Sequence, residues 1–175
     1  VGPNHVIQMI NGQSGSYFRI WNKTGTQVMA QTYFDTFFNQ PGGAGDPIVV
    51  YDAPADRWLM SEFTATGIIL SVAVSSTPDP LGTCYTYTFT TPIFPDNPKY
   101  SVWNNAYIVT TNENSSTVYA LDRASMLTGA PATTQRFTMT NFGTIGFQAA
   151  TPVNLDGTSL PPTGTPAMVM RMRDD

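Results

Sequence analysis

The sequence is short of charge, cysteine, histidine and long apolar runs, and each shortage closes off a class of function. Charged residues make up 11% of the 175 positions, less than half of the roughly 25% usual in globular domains. The eight Lys and Arg are scattered singly against twelve Asp and Glu, for a net charge of −4. No basic stripe therefore exists to hold a phosphate backbone, and nucleic acid is excluded as a partner. The single cysteine, Cys84, rules out an intrachain disulfide framework and a cysteine-built zinc site. Lying between Thr83 and Tyr85 with no basic neighbour to lower its pKa, it reads as a small buried hydrophobe in a strand. One histidine, His5, and two glutamates, Glu62 and Glu113, leave few ways to build a Ser-His-Asp triad or a general acid–base pair. His5 reads as a satisfied residue at a strand end. No apolar run reaches the length of a transmembrane helix, and no signal peptide opens the chain. The first residue is Val1, as expected of a processed chain or of a piece of something longer.

What remains is a chain that is 41% hydrophobic, enough for one domain with a core. Its surface polarity comes from Thr, Ser, Asn and Gln, which suits β-sheet and an exported protein. The most regular stretch is Gly45 to Phe63. Ile48 to Tyr51 form a β-branched run, Ala53 to Asp56 a polar turn, and Trp58 to Phe63 a second run. Ile68 to Ser75 then alternate, with Ile68, Leu70, Val72 and Val74 on one face and Ile69, Ser71, Ala73 and Ser75 on the other. Tyr85, Tyr87 and Phe89 alternate with Thr86, Thr88 and Thr90, giving a fourth strand with a half-solvated threonine face. Four antiparallel strands in about forty-five residues match one propeller blade.

The order recurs in Lys99 to Trp103, Ala106 to Thr111, Thr117 to Leu121 and Gln135 to Thr140. Asp122 to Leu127 is expected to be the only helical turn of the chain. Before the central unit, His5 to Asn11, Tyr17 to Trp21 and Gln27 to Phe38 read as strands, followed by a glycine loop from Pro41 to Gly45. That loop is no phosphate cradle, because no Lys-Ser/Thr pair and no helix follow it. Gly25 closes the turn from Asn22, where a positive φ is expected. After Gly146, strands are expected near Phe147 to Ala150 and Ala167 to Met172, around a proline-rich loop. The expected fold is all-β and propeller-like, one domain of four-stranded antiparallel blades. A partial blade spans 1–45, blades span 46–92 and 95–142, and a partial blade spans 146–175, so the propeller is incomplete.

Ser76 to Tyr85 resembles the Asp-box turn of sialidase-like propellers, with one extra residue before the glycine and tyrosine in place of tryptophan. In such a turn Asp79 would accept backbone N–H bonds, Gly82 would take positive φ and Tyr85 would pack between blades. Together with GDPIVVYDAPADRW, SVAVSSTPDPLGTCYTYTF, FPDNPKYSVWNNAYIVTTN and ALDRASML, it makes the chain similar to a family of exported bacterial β-propeller domains. That family is mostly of unknown function and loosely sialidase-like. The resemblance implies further propeller strands beyond a loop such as Leu155 to Pro166, and it brings no catalytic residues with it.

Asp46, Asp52 and Asp56 are close enough in sequence to offer oxygen ligands to calcium. Turn chemistry explains them equally, and they lack the D-x-D-x-D-G spacing of a dedicated loop. Asn22 and Asn114 begin sequons that would be glycosylated if the source glycosylates. Trp21, Trp58 and Trp103 fall at comparable places in successive units and suit blade-to-blade packing. The function expected from these features is a structural or adhesive module, extracellular or at a cell surface, whose partners are protein segments or subunits that complete the propeller. The alternative is a sialidase-like propeller that binds or hydrolyses carbohydrate. No cofactor is expected.

Overall fold

The computed structural model describes residues 1–40, 42–64, 68–142 and 149–172. Its strands are β1 (His5–Asn11), β2 (Ser16–Asn22) and β3 (Gln27–Tyr33), then β4 (Gly43–Asp52), β5 (Arg57–Thr64), β6 (Ile69–Ser75) and β7 (Cys84–Thr90). A third group is β8 (Asp96–Val102), β9 (Ala106–Asn112), β10 (Ser116–Asp122) and β11 (Thr134–Thr138). Two short strands follow, β12 (Thr151–Pro152) and β13 (Val169–Met170). Each group is an antiparallel meander in sequence order: a three-stranded sheet, two four-stranded sheets and a two-stranded piece. The protein is thus all-β with blade-like sheets, and among the described residues the sheets form no closed ring.

The sheets stack face on face, and the alternation of side chains explains why. On one side of the second sheet Leu59, Leu70, Val72 and Val74 meet Val102, Tyr107, Val109 and Leu121 of the third. From its other side Trp58, Met60 and Ala73 meet Ile7, Phe18 and Ile20 of the first. With both faces covered, β5 is buried from Trp58 through Thr64 and β6 from Leu70 through Ser75. The third sheet buries Trp103, Ala106 and Ile108 against Val169 of the two-stranded piece and against Leu155, which follows β12. Outer strands are wet: Thr86, Thr88 and Thr90 of β7 are exposed, as their alternation predicts.

Several expected boundaries move. The strand expected from Gln27 to Phe38 ends at Tyr33, and Phe34–Phe38 form a short helix, α1. Phe34 and Phe38, four residues apart, turn onto the same core, and Asn39 closes the turn at φ 51°, a left-handed conformation that Asn tolerates. The helical turn expected at Asp122 to Leu127 is present as α2 (Arg123–Met126), capped by the Asp122 side chain, but it is not the only one. Gly43 to Gly45 belong to β4 rather than to a loop, through an irregular register opposite Thr64 and Phe63. Gly45 sits at φ 132°, where an added Cβ would come within 2.7 Å of the Asn11 side chain. Of the strand expected near Phe147 to Ala150, residues 147 and 148 lie outside the described residues, and Ala149 and Ala150 precede β12 without joining a strand.

The direction of the first strands is decisive for the architecture. β1 packs beside β4, β4 beside β8, and β8 beside β12. Strands β4 and β8 run the same way, since Asp46 to Ile48 and Asn97 to Lys99, at their starts, line one end of a common groove. β12 follows them: Thr110, opposite Lys99, donates to the Ala150 carbonyl, while Asn154 and Leu155 bond to Val102. β1 runs the other way. Its last residue, Asn11, accepts from the Asp46 amide at 2.7 Å, and Gly2, before its start, lies against Tyr51 at the end of β4 and Trp58 at the start of β5. In direction, β1, β2 and β3 therefore correspond to β5, β6 and β7, the second to fourth strands of the next sheet. The innermost place of the first sheet is unfilled among the described residues.

Candidate functional site

Where the first strands converge, their inner edges frame a groove with two compartments. One, of about 540 Å³, is walled by Val50, Tyr51 and Tyr100 together with Val1, Asn154 and Asp156. The other, of about 300 Å³, lies at the opposite end between Ile10, Asn11, Asp46, Pro47 and Lys99. The first compartment is polar at its rim. Tyr51 donates to Asp56, and burial together with that carboxylate pushes its phenol up to about 12. Tyr100 keeps its hydroxyl buried without a hydrogen-bond partner. In the second compartment burial lowers the pKa of Lys99, against the pull of Asp46 and Asp96.

The three aspartates proposed as calcium ligands are sent to three different tasks. Asp52 is fully buried between the second and third sheets. Its carboxylate takes two bonds from the Arg123 guanidinium, at 2.7 and 2.8 Å, one from the Tyr107 hydroxyl at 2.8 Å and one from the Ala55 amide at 3.1 Å. Arg123 spends another N–H on the Asn104 carbonyl. Burial works to lower the Arg123 pKa, yet Asp52 more than offsets it and the group stays charged. Asp46 stands at φ 47° in the irregular start of β4, and Asp56 receives Tyr51. No three acidic, histidine or cysteine side chains gather around one point among the described residues.

The Asp-box-like turn lies where it was expected, between the third and fourth strands of the second sheet. Asp79 Oδ1 accepts the Leu81 amide at 3.0 Å, and Ser76 bonds across to Thr83. Tyr85 packs on Gly129 of the third sheet's last connection, where a Cβ would come within 2.6 Å of the ring. Gly82 departs from the pattern: it does not take positive φ, and a Cβ there would meet only ordinary contacts.

The remaining candidates are structural in placement. Trp58 and Trp103 are buried, but they face opposite ways, Trp58 toward the first sheet and Trp103 toward the two-stranded piece. Trp21 is half-buried, as are His5, which opens β1, and Cys84, whose thiol burial pushes up to about 12. Glu113 accepts from Tyr119, Arg136 and Thr111. Asn22 uses its side-chain oxygen to hold the turn to Thr26, and Asn114 is exposed in the turn after β9. Gly25 has the expected positive φ, 84°.

Glu62 is the exception. It is 0% exposed, and neither carboxylate oxygen has a hydrogen-bond partner. Its carboxyl lies where the Cβ of residue 43 would be, within 2.3 Å of that point, and only glycine leaves the space. Burial lifts its pKa to about 7; the Ser16 hydroxyl works against the rise, Asp35 adds to it, and the Ser16 amide opposes it. Reading the sequence missed both Arg123, as partner to Asp52, and this burial of Glu62. The one signal available was an acidic residue inside the apolar run from Trp58 to Phe63. Comparison with protein-family models, with curated proteins and with solved structures gives no match for this chain.

Proposed function

We propose that this chain is a structural or adhesive module of an extracellular or cell-surface assembly, and that it takes up an extended strand at the innermost place of its first sheet. The observation that carries this reading is the reversed direction of β1 beside β4. A strand added along the edge of β1 that is unpaired among the described residues, and antiparallel to β1, would run with β4, β8 and β12, making the first sheet a fourth member of the same pattern. Main-chain hydrogen bonds would supply affinity, and Ile10, half-exposed at the rim of the 300 Å³ compartment, would supply an apolar contact. An unfilled edge of this kind is a hazard in water and is normally covered. The charge-poor, threonine- and tyrosine-rich surface suits broad contact rather than catalysis. Light scattering on the purified chain tests the reading: assembly that grows with concentration and weakens in Ile10→Lys, where a charge blocks the edge, supports it. A monomer that melts cooperatively at all concentrations overturns it.

A second reading, a sialidase-like propeller that binds or cleaves carbohydrate, is favoured by the 540 Å³ compartment, where Tyr51, Asn154 and Asp156 could meet a sugar. Saturable binding of a neutral oligosaccharide, lost in Tyr51→Ala, would select it. Turnover of aryl glycosides abolished by one Asp or Glu substitution would make it an enzyme.

A further inference from the structure

Glu62 combines two properties that rarely coexist in a settled core. It is fully buried, and neither of its oxygens makes a hydrogen bond of good geometry, the Ser16 hydroxyl and amide being the donors that act on it. Its surroundings are not merely apolar. Ser16, on the facing strand β2, is 1% exposed and sets its hydroxyl and amide against Glu62 without a hydrogen bond of good geometry. Asp35, in the first turn of α1, brings a second carboxylate to the same place: its Oδ2 lies 3.5 Å from the Gly43 amide, and its charge is felt at Glu62. Both carboxylates thus lie against Gly43. A backbone carbonyl lies beside them, since the Gly43 oxygen and Glu62 Oε2 are 3.2 and 3.4 Å from the point where a Cβ on Gly15 would stand. Gly15 and Gly43 together keep this cradle free of side-chain carbon.

A carboxylate alone in such a place would be driven neutral, and a second carboxylate nearby makes matters worse. Both problems disappear if a cation sits between them. The donors are all oxygens: two carboxylates, one hydroxyl and one carbonyl, with neither imidazole nor thiolate near. This is the donor set of a hard divalent ion, and the irregular mixture of donor types favours the flexible coordination of calcium over the strict octahedron of magnesium. We propose that Glu62, Ser16 and Asp35, with the Gly43 carbonyl, form a calcium-type cation site that pins the starts of β4 and of α1 to the first sheet. The site is separate from Asp46, Asp52 and Asp56, and it stands independently of the strand-binding reading above.

The test is calorimetric titration with CaCl2, paired with thermal unfolding in EDTA and in CaCl2 at pH 7.5. The wild-type chain should bind one equivalent, and its Tm should rise by about 5–10 °C at a hundredfold excess over Kd. Magnesium should act more weakly. Glu62→Gln should lose both the heat and the rise, while melting in EDTA at or above the wild-type temperature, because it removes a buried unpaired charge. Asp35→Asn and Ser16→Ala, which each remove one donor, should weaken binding at least tenfold; they carry the test if Glu62→Gln does not fold. A folded wild-type chain that shows neither heat nor a calcium-dependent Tm overturns the proposal. So does equal binding by the wild type and by these variants.

Discussion

Two carboxylates are buried completely at two neighbouring sheet junctions, and the protein treats them in opposite ways. Between the second and third sheets, Asp52 is met by a guanidinium, a phenol and a backbone amide. Between the first and second sheets, Glu62 is met by a glycine cradle and an unpartnered serine. The apolar packing beside them is comparable in kind, with Tyr107 and Leu121 in one core and Trp58 and Phe18 in the other. The difference is therefore electrostatic. A paired buried charge fixes two sheets in one register, because any slip strands it without its partner. An unpaired buried charge fixes nothing by itself and points to something that must join it.

The comparison is broken most forcefully by removing a partner. Arg123→Ala leaves Asp52 buried and unpaired, so equilibrium denaturation should show a loss of about 3–5 kcal/mol. A loss under 1 kcal/mol would mean that the second and third sheets are held by apolar contact alone. Trp58→Ala empties a core site at the other junction and should cost about 3–5 kcal/mol in the same measurement; an unchanged Tm would contradict the packing of the first sheet on the second. Tyr107→Phe deletes one bond to Asp52 while leaving the ring, and should cost about 1.5–3 kcal/mol, the range for a hydrogen bond to a charged group. Double-mutant analysis with Arg123→Ala should then show coupling, because both groups serve the same carboxylate.

Glu62→Gln gives the smallest change at low pH and the sharpest contrast. Burial raises the folded-state pKa of Glu62 to about 7 from the ordinary 4.5. The folded protein then holds a proton that the unfolded chain has already released. In the absence of divalent cations, that contribution to stability is complete below about pH 4.5 and is lost as pH rises to about 7. Denaturation in EDTA at pH 5, 6, 7 and 8 should show this decline in the wild type and a flatter profile in Glu62→Gln. Parallel profiles would mean that Glu62 already has a partner for its charge.

Much of the fold is legible in the residues themselves. The alternation in Ile69 to Ser75 and in Tyr85 to Phe89, and the turns at Asn22 to Thr26 and Ala53 to Asp56, are local patterns, and the strands lie where those patterns put them. Alternation says which residues share a face. It does not say that the serine and alanine face of β6 would be as dry as its valine face, because that depends on a second sheet arriving from the other side. Phe34 to Phe38 was misread for a related reason: an aromatic-rich run suits a strand or a helix, and only the core it folds onto decides between them.

By itself the sequence determined the class of fold, the meander of four-stranded sheets and the absence of the usual nucleophile and metal motifs, all of which follow from residue type and from spacing over a few positions. Only the tertiary structure decided that Asp52 would find Arg123, 71 residues away, that β1 would run against β4, and that Glu62 would lie over Gly43 without a partner. Those outcomes depend on which sheet faces which and in what direction. No spacing along the chain encodes them, since an electrostatic partner is set by distance in space and the fold alone supplies that distance.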